Sequence, residues 1–195
     1  MLGASRYERE DFDAYHTVDP MCLDALLAAI PIHRDWRILE PAAGRGHLVK
    51  GLRDAGYRVD ARDLIAHPDP LVNDIATGRN IMEIATLAGY DAVITNLPYN
   101  EQDALLAHLL PMAERRGVLV ATLTRAPWHI AKKRRALVHE HPNFEGIVML
   151  PRRPWWSDER KAAPRHEFCW NVWGASPRCS LHPVIYYPAW ETDAQ

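Results

Sequence analysis

Short apolar runs alternate with segments of helical periodicity through most of this 195-residue chain, and that alternation leaves few architectures open. Trp36-Arg37-Ile38-Leu39, Tyr57 to Arg62, Ala92 to Thr95, Gly117 to Leu123 and Gly146 to Leu150 read as strands. Asp19-Pro20 opens a helix whose apolar positions Met21, Leu23, Leu26, Leu27 and Ile30 recur at helical spacing before Pro31. His47 to Ala55 is a second helix, stopped by Gly56. Gln102 to Ala113, with an apolar face at Leu105, Leu106, Leu109 and Leu110, and Trp128 to His139 are predicted as two more. The succession predicts an α/β fold built on a doubly wound, mostly parallel sheet.

The carboxyl-terminal part changes character. Pro151-Arg152-Arg153-Pro154-Trp155-Trp156 and the stretch to His166 read as a loop, about as long as a compact domain tolerates without a functional reason. Glu167 to Trp173 then alternates as a strand does, and Val184-Ile185-Tyr186-Tyr187 follows a turn around Gly174 to Pro183, which predicts an antiparallel hairpin at the sheet edge. With 48% hydrophobic residues the length suits one domain over 1–195, with 151–166 as a small insertion.

Two motifs lie where open α/β sheets bind ligands, just past strand carboxyl ends. In Glu40-Pro41-Ala42-Ala43-Gly44-Arg45-Gly46 small residues let the backbone approach a ligand closely while the amides of the next helix face an anionic group. Asp63 follows Gly44 by 19 residues, near the offset at which a carboxylate holds a ribose diol. A plainer reading stays open, in which the glycines only permit a tight turn and Asp63 is a solvated loop acid. The second motif, Asn96-Leu97-Pro98-Tyr99, ends the run Asp91 to Thr95 with an amide, a proline and a ring suited to gripping a flat, amino-bearing group. An Asn-Pro turn with a packed aromatic is its bland alternative.

On these motifs the chain resembles the class I S-adenosylmethionine-dependent methyltransferases over roughly Tyr15 to Trp173, and within them the amino-methylating branch containing small phage and prophage N6-adenine DNA methyltransferases. The resemblance implies the Rossmann-like methyltransferase fold and S-adenosylmethionine as cofactor. It implies that Glu40, Pro41, Ala42, Ala43, Gly44 and Gly46 hold the methionine part, that Asp63 holds the ribose, and that Tyr15 and Thr17 lie against the cofactor. Asn96, Leu97, Pro98 and Tyr99 correspond to the catalytic tetrapeptide, with Leu97 in place of the usual first proline. Asn80 takes the place of the acid that contacts the cofactor adenine, with Asp74 as the nearby alternative. The expected activity is methylation of adenine N6 in DNA after base flipping, since a base inside a duplex cannot otherwise reach the methyl donor. RNA adenine, a protein glutamine, or a degenerate binding module are the rivals.

Charge points to the partner surface. The net charge is −2, yet residues 125–165 hold ten Lys or Arg against four acids. Lys132, Lys133, Arg134 and Arg135 on the predicted helix, with Arg152, Arg153, Trp155 and Trp156 in the loop, supply cations for phosphates and aromatic faces for unstacked bases. An ordinary solvated helix face is the competing explanation. The short insertion predicts weak or very short sequence specificity. His166-x-x-Cys169 and Cys179-x-x-His182 would offer zinc acceptable ligand types, but Cys169 also suits a core position and alkyl transfer needs no metal, so none is expected. Cys22, Cys169 and Cys179 contain no CxxC pair, and with no membrane-length apolar run or signal-peptide core the chain reads as cytoplasmic.

Overall fold

The computed structural model describes residues 16–157, 165–175 and 184–186. In chain order the elements are α1 (Met21–Ala29), β1 (Arg37–Glu40), α2 (His47–Asp54), β2 (Arg58–Ala61), β3 (Ala92–Thr95), α3 (Gln102–Arg116), β4 (Leu119–Arg125), β5 (Phe144–Met149), β6 (Phe168–Trp173) and β7 (Val184–Tyr186). They form one seven-stranded sheet in the order β2-β1-β3-β4-β6-β5-β7. β2, β1, β3 and β4 run parallel, and β6 lies antiparallel to both β4 and β5.

The two sides of each strand feed separate cores because side chains alternate across a sheet. Ile38, Ile94 and Trp170 pack with Leu26 and Leu52 on the α1/α2 face. Leu39, Val93 and Trp173 pack with Leu106 and Leu109 on the α3 face. Both tryptophans also satisfy their indole N–H, Trp170 to the Cys22 carbonyl and Trp173 to the Leu137 carbonyl, each at 2.7 Å, so their large apolar surface is buried without an orphaned donor. Gly117 ends α3 at φ 65°, where its missing Cβ removes the steric penalty.

The predicted doubly wound sheet and an antiparallel carboxyl-terminal hairpin are both present, with two corrections of detail. The strand 168–173 is not at the edge: it is inserted between β4 and β5, buried at every position. Its hairpin partner is β5, whereas β7 joins β5 in parallel on the far side. Residues 128–139 are also not an α-helix. Ala126–Ile130 and Lys132–Arg134 are short 3₁₀ turns. The Arg134 guanidinium donates to the Trp128 carbonyl at 2.9 Å, at the acceptor an α-helix would use for the amide four residues on.

Cys169 lies fully buried within β6, where burial pushes its thiol up to about 11, and Cys179 and His182 fall outside the described residues. Among the described residues no group of three or more His, Cys, Asp or Glu is placed to hold a metal. None of their helices is long and apolar enough to cross a membrane.

Candidate active site

The order β2-β1-β3 makes the gap between β1 and β3 a switch point, where successive connections leave to opposite sides and a crevice opens at the strand carboxyl ends. A cleft of about 880 Å³, its open mouth included, occupies this place. Its floor is Glu40 to Gly44 from the β1 turn, and its walls include Asp63, Asn80, Asn96 and Pro98, with Thr17 across the mouth. Residues far apart in sequence, chosen there for one ligand, therefore meet in one place. Tyr15 lies outside the described residues.

The turn is held by two carboxylates. Asp63, only 8% exposed, accepts from the Gly44 amide at 2.6 Å and from the Ile65 amide at 2.8 Å. It is thus a brace between the β1 and β2 turns and not the solvated loop acid of the plainer reading. A carboxylate offers about four lone-pair sites, so two remain for a ligand hydroxyl. Glu40 accepts from the Ala42 amide at 3.0 Å. Burial raises its carboxyl to about 8, opposed by the Thr95 hydroxyl and the Ala42 amide and reinforced by the Asp63 charge.

Gly44 is held at φ 56°, and a Cβ there would come within 2.7 Å of His16 Nδ1. Both facts demand glycine. His16, which sequence reasoning passed over although it adjoins Thr17, belongs to a ring cluster at the mouth, with centroids 5.7 Å from His47 and 5.0 Å from His67. Gly46 opens α2 at φ 90°. Asn80 and Asp74 differ in placement: Asp74 is held by both terminal nitrogens of Arg53, at 2.7 and 2.9 Å, and does not line the cleft. Asn80 lines it, its side-chain oxygen accepting from the Met82 amide.

The tetrapeptide separates this cleft from another. Asn96 and Pro98 line the first, while Tyr99 lines a second opening of about 1150 Å³ together with Gln102, Arg125, Trp128 and His166. Leu97 reaches neither, because its side chain is 1% exposed in the α3-face core. The Asn96 amide nitrogen donates to Thr17 Oγ1 at 3.2 Å, which orients the side chain. Tyr99 rests near Phe168, at a centroid distance of 6.1 Å, and Trp156 packs edge-on to that same Phe168 at 4.8 Å.

Most of the predicted basic surface is engaged within the fold. Lys133 and Arg134 pair with Asp103, Arg135 with Glu140, and Arg153 with Glu167. Arg152 clamps the buried Asp19 through two nitrogens at 2.5 and 3.0 Å, and Asp19 further accepts from the amides of Met21 and Trp155. Lys132 is exposed, and Trp155 and Trp156 are half-buried.

No family model matches the chain. By sequence it is similar to the ribosomal RNA small subunit methyltransferase A of Pseudomonas syringae pv. syringae (strain B728a), 30% identical over 118 residues. That match covers 54% of this chain and 44% of the relative, so the chain spans less than half of its relative's length. By structure it is similar to a Listeria monocytogenes protein assigned to the class I S-adenosylmethionine-dependent methyltransferases, with TM-score 0.58 and 14% identity over 91% of this chain and 67% of that one. It is also similar to Burkholderia thailandensis 1,6-didemethyltoxoflavin-N1-methyltransferase, determined with 1,6-didemethyltoxoflavin and S-adenosylhomocysteine bound, at TM-score 0.55 and 16% identity over 85% of this chain and 81% of that one. The fold is that of the class I methyltransferases.

Proposed function

We propose that this protein transfers a methyl group from S-adenosylmethionine to the exocyclic N6 amine of adenine in nucleic acid. One observation carries the reading: the tetrapeptide forms the wall between two clefts, with Asn96 and Pro98 facing one and Tyr99 the other. A transferase for two substrates needs such a divided site, with the accepting atom presented at the wall.

The first cleft suits the cofactor. The glycine turn admits close backbone approach, Asp63 keeps acceptor capacity for a ribose hydroxyl, and Glu40 places a carboxyl where a ligand's cationic group would favour its ionised form. When bound, S-adenosylmethionine supplies an electrophilic methyl carbon on a sulfonium. The class I methyltransferase fold, and the S-adenosylhomocysteine bound in the Burkholderia thailandensis enzyme of similar fold, support this cofactor as the occupant.

The protein's task is to sharpen a poor nucleophile. The adenine amino lone pair is delocalised into the ring. Acceptance of its two N–H bonds by the Asn96 side-chain oxygen and a main-chain carbonyl lets the nitrogen pyramidalise. The Pro98 carbonyl already accepts from the Glu101 amide at 3.1 Å, which favours the Leu97 carbonyl as the second acceptor. Held by the Glu40–Gly46 turn and Asp63, S-adenosylmethionine would supply its methyl to this nitrogen and be left as the neutral thioether, and the surplus amine proton would leave to water. Tyr99 stacks the base. Holding the partners in line is worth on the order of 7–11 kcal/mol, so positioning supplies most of the catalysis.

DNA is the polymer to which the motif resemblance points. The ribosomal RNA methyltransferase relative favours RNA as the second reading. Radiolabelled S-adenosylmethionine offered with single-stranded DNA, duplex DNA and ribosomal or transfer RNA, followed by nucleoside mass spectrometry, decides between them. N6-methyladenine in one polymer, absent with Asn96→Ala, supports the reading. Label confined to protein glutamine would overturn it.

A further inference from the structure

The second cleft contains a cation that has no ion-pair partner among the described residues. Arg125 ends β4 with an exposed side chain, and its guanidinium carbon lies 5.7 Å from the centroid of the Tyr99 ring. Among the described residues no carboxylate lies within ion-pair distance of it. The acids around the same opening are already occupied: Asp103 holds Lys133 and Arg134, and Glu167 holds Arg153. Arg134, which also lines the cleft, is only 17% exposed, bonds to Asp103 and the Trp128 carbonyl, and packs over the Trp128 ring. The clustered basic residues are therefore largely structural, and among the described cations that line this cleft Arg125 is the one without an ion pair.

We infer that Arg125 is the phosphate-contacting residue of the target cleft, engaging the backbone phosphate beside an adenine stacked on Tyr99. The inference rests on the adenine-methylation reading for the identity of the base. A base laid on Tyr99 brings its own phosphodiester with it, and a guanidinium presents paired N–H groups that match two phosphate oxygens. Acceptors of other kinds gain nothing from this residue: a glutamine side chain is neutral and carries no anion. Arg125 thereby selects a nucleotide strand over a protein loop, although both can place an amine against Asn96.

The test is strand binding measured apart from turnover. Fluorescence anisotropy of a fluorescein-labelled mixed-sequence single strand, made as DNA and as RNA, is recorded with the full chain in the presence of S-adenosylhomocysteine across a salt series. Arg125→Ala should weaken binding at least about tenfold and lower the salt slope by about 0.7, the share of one phosphate contact on a single strand. Arg125→Lys should restore the slope but only part of the affinity, because the charge returns without the fork. Arg135→Ala, the same loss of charge at a paired surface site, should change affinity by far less, and all three variants should melt as the wild type does. Equal affinity and slope for wild type and Arg125→Ala, an equal loss from Arg135→Ala, or a wild type that binds neither strand would each overturn the inference. Strand binding through Arg125 with no methyl transfer would leave it standing and remove the methylation reading.

Discussion

The two clefts on either side of Asn96–Tyr99 are built by opposite means. The first is shaped by main chain: a seven-residue turn, a glycine at φ 56° and two buried carboxylates that receive its amides. The second is shaped by side chains, with Tyr99, Arg125, Trp128 and Arg134 converging from the ends of three elements. A main-chain bed is rigid and recognises an invariant ligand, which a cofactor is. Side chains from several elements can be exchanged without disturbing the sheet, as variable targets require. The contrast follows the division of labour expected of a scaffold that carries many chemistries.

Substitution at the wall should sharpen this contrast most. Asn96→Ala is expected to lower single-turnover methyl transfer by about 100- to 1,000-fold, the usual cost of one oriented contact at a reacting centre, while calorimetry finds cofactor and strand affinities nearly unchanged. A large loss of either affinity would show that Asn96 belongs to one cleft and not to the wall. Gly44→Val should damage the first cleft alone. The strained φ and the contact with His16 cost about 1–3 kcal/mol, on the order of 10- to 100-fold in cofactor affinity, with cofactor-free strand binding intact. Tyr99→Ala should do the converse, weakening strand affinity by roughly tenfold, since one stacked base is worth about 1–3 kcal/mol.

Two smaller effects test whether the clefts are separate at all. Asp19 joins the entry of α1 to the 151–157 loop, so Asp19→Ala should orphan two amides while Arg152, 47% exposed, returns to water at little cost. A loss of about 2 kcal/mol, roughly 4–8 °C in Tm, is expected by calorimetry. Glu40 titrates only the first cleft. Its folded value near 8 lies above the ordinary 4.5, so the folded state binds the extra proton and stability falls as pH rises from about 4.5 through about 8. The cofactor-free protein should therefore melt progressively lower over this range, and Glu40→Gln should flatten the profile. Affinity for a cationic cofactor should run the other way, rising with pH as Glu40 ionises.

The first cleft was legible in the sequence because its floor is contiguous. Glu40 to Gly46 are neighbours in the chain, and Asp63 and Asn96 stand just past strands that apolar runs reveal. That Asp74 stands apart from the cleft while Asn80 lines it was not legible, since it depends on where Arg53 reaches. The second cleft was largely invisible: its parts come from the ends of β4 and α3 and from a segment misread as helix. There the density of charge marked residues that neutralise one another, whereas the solitary Arg125 carried no local signal beyond its place at the carboxyl end of a parallel strand. The position of β6 was hidden for a different reason. Asn171 suggests a solvent-facing side, yet it is fully buried and donates to Thr124 Oγ1 across the ladder at 2.8 Å, a pairing that exists only once the strand is interior.

That interior strand has a consequence for how the molecule is made. β4 and β5 each bond to β6 and not to one another, so residues 168–173 are the keystone between the parallel strands and β5. During synthesis, everything before β6 must wait with two unmatched strand edges until it leaves the ribosome. Full cooperativity arrives only with its insertion, and hydrogen exchange at the β4 and β5 amides facing β6 should become slow in one step at that chain length.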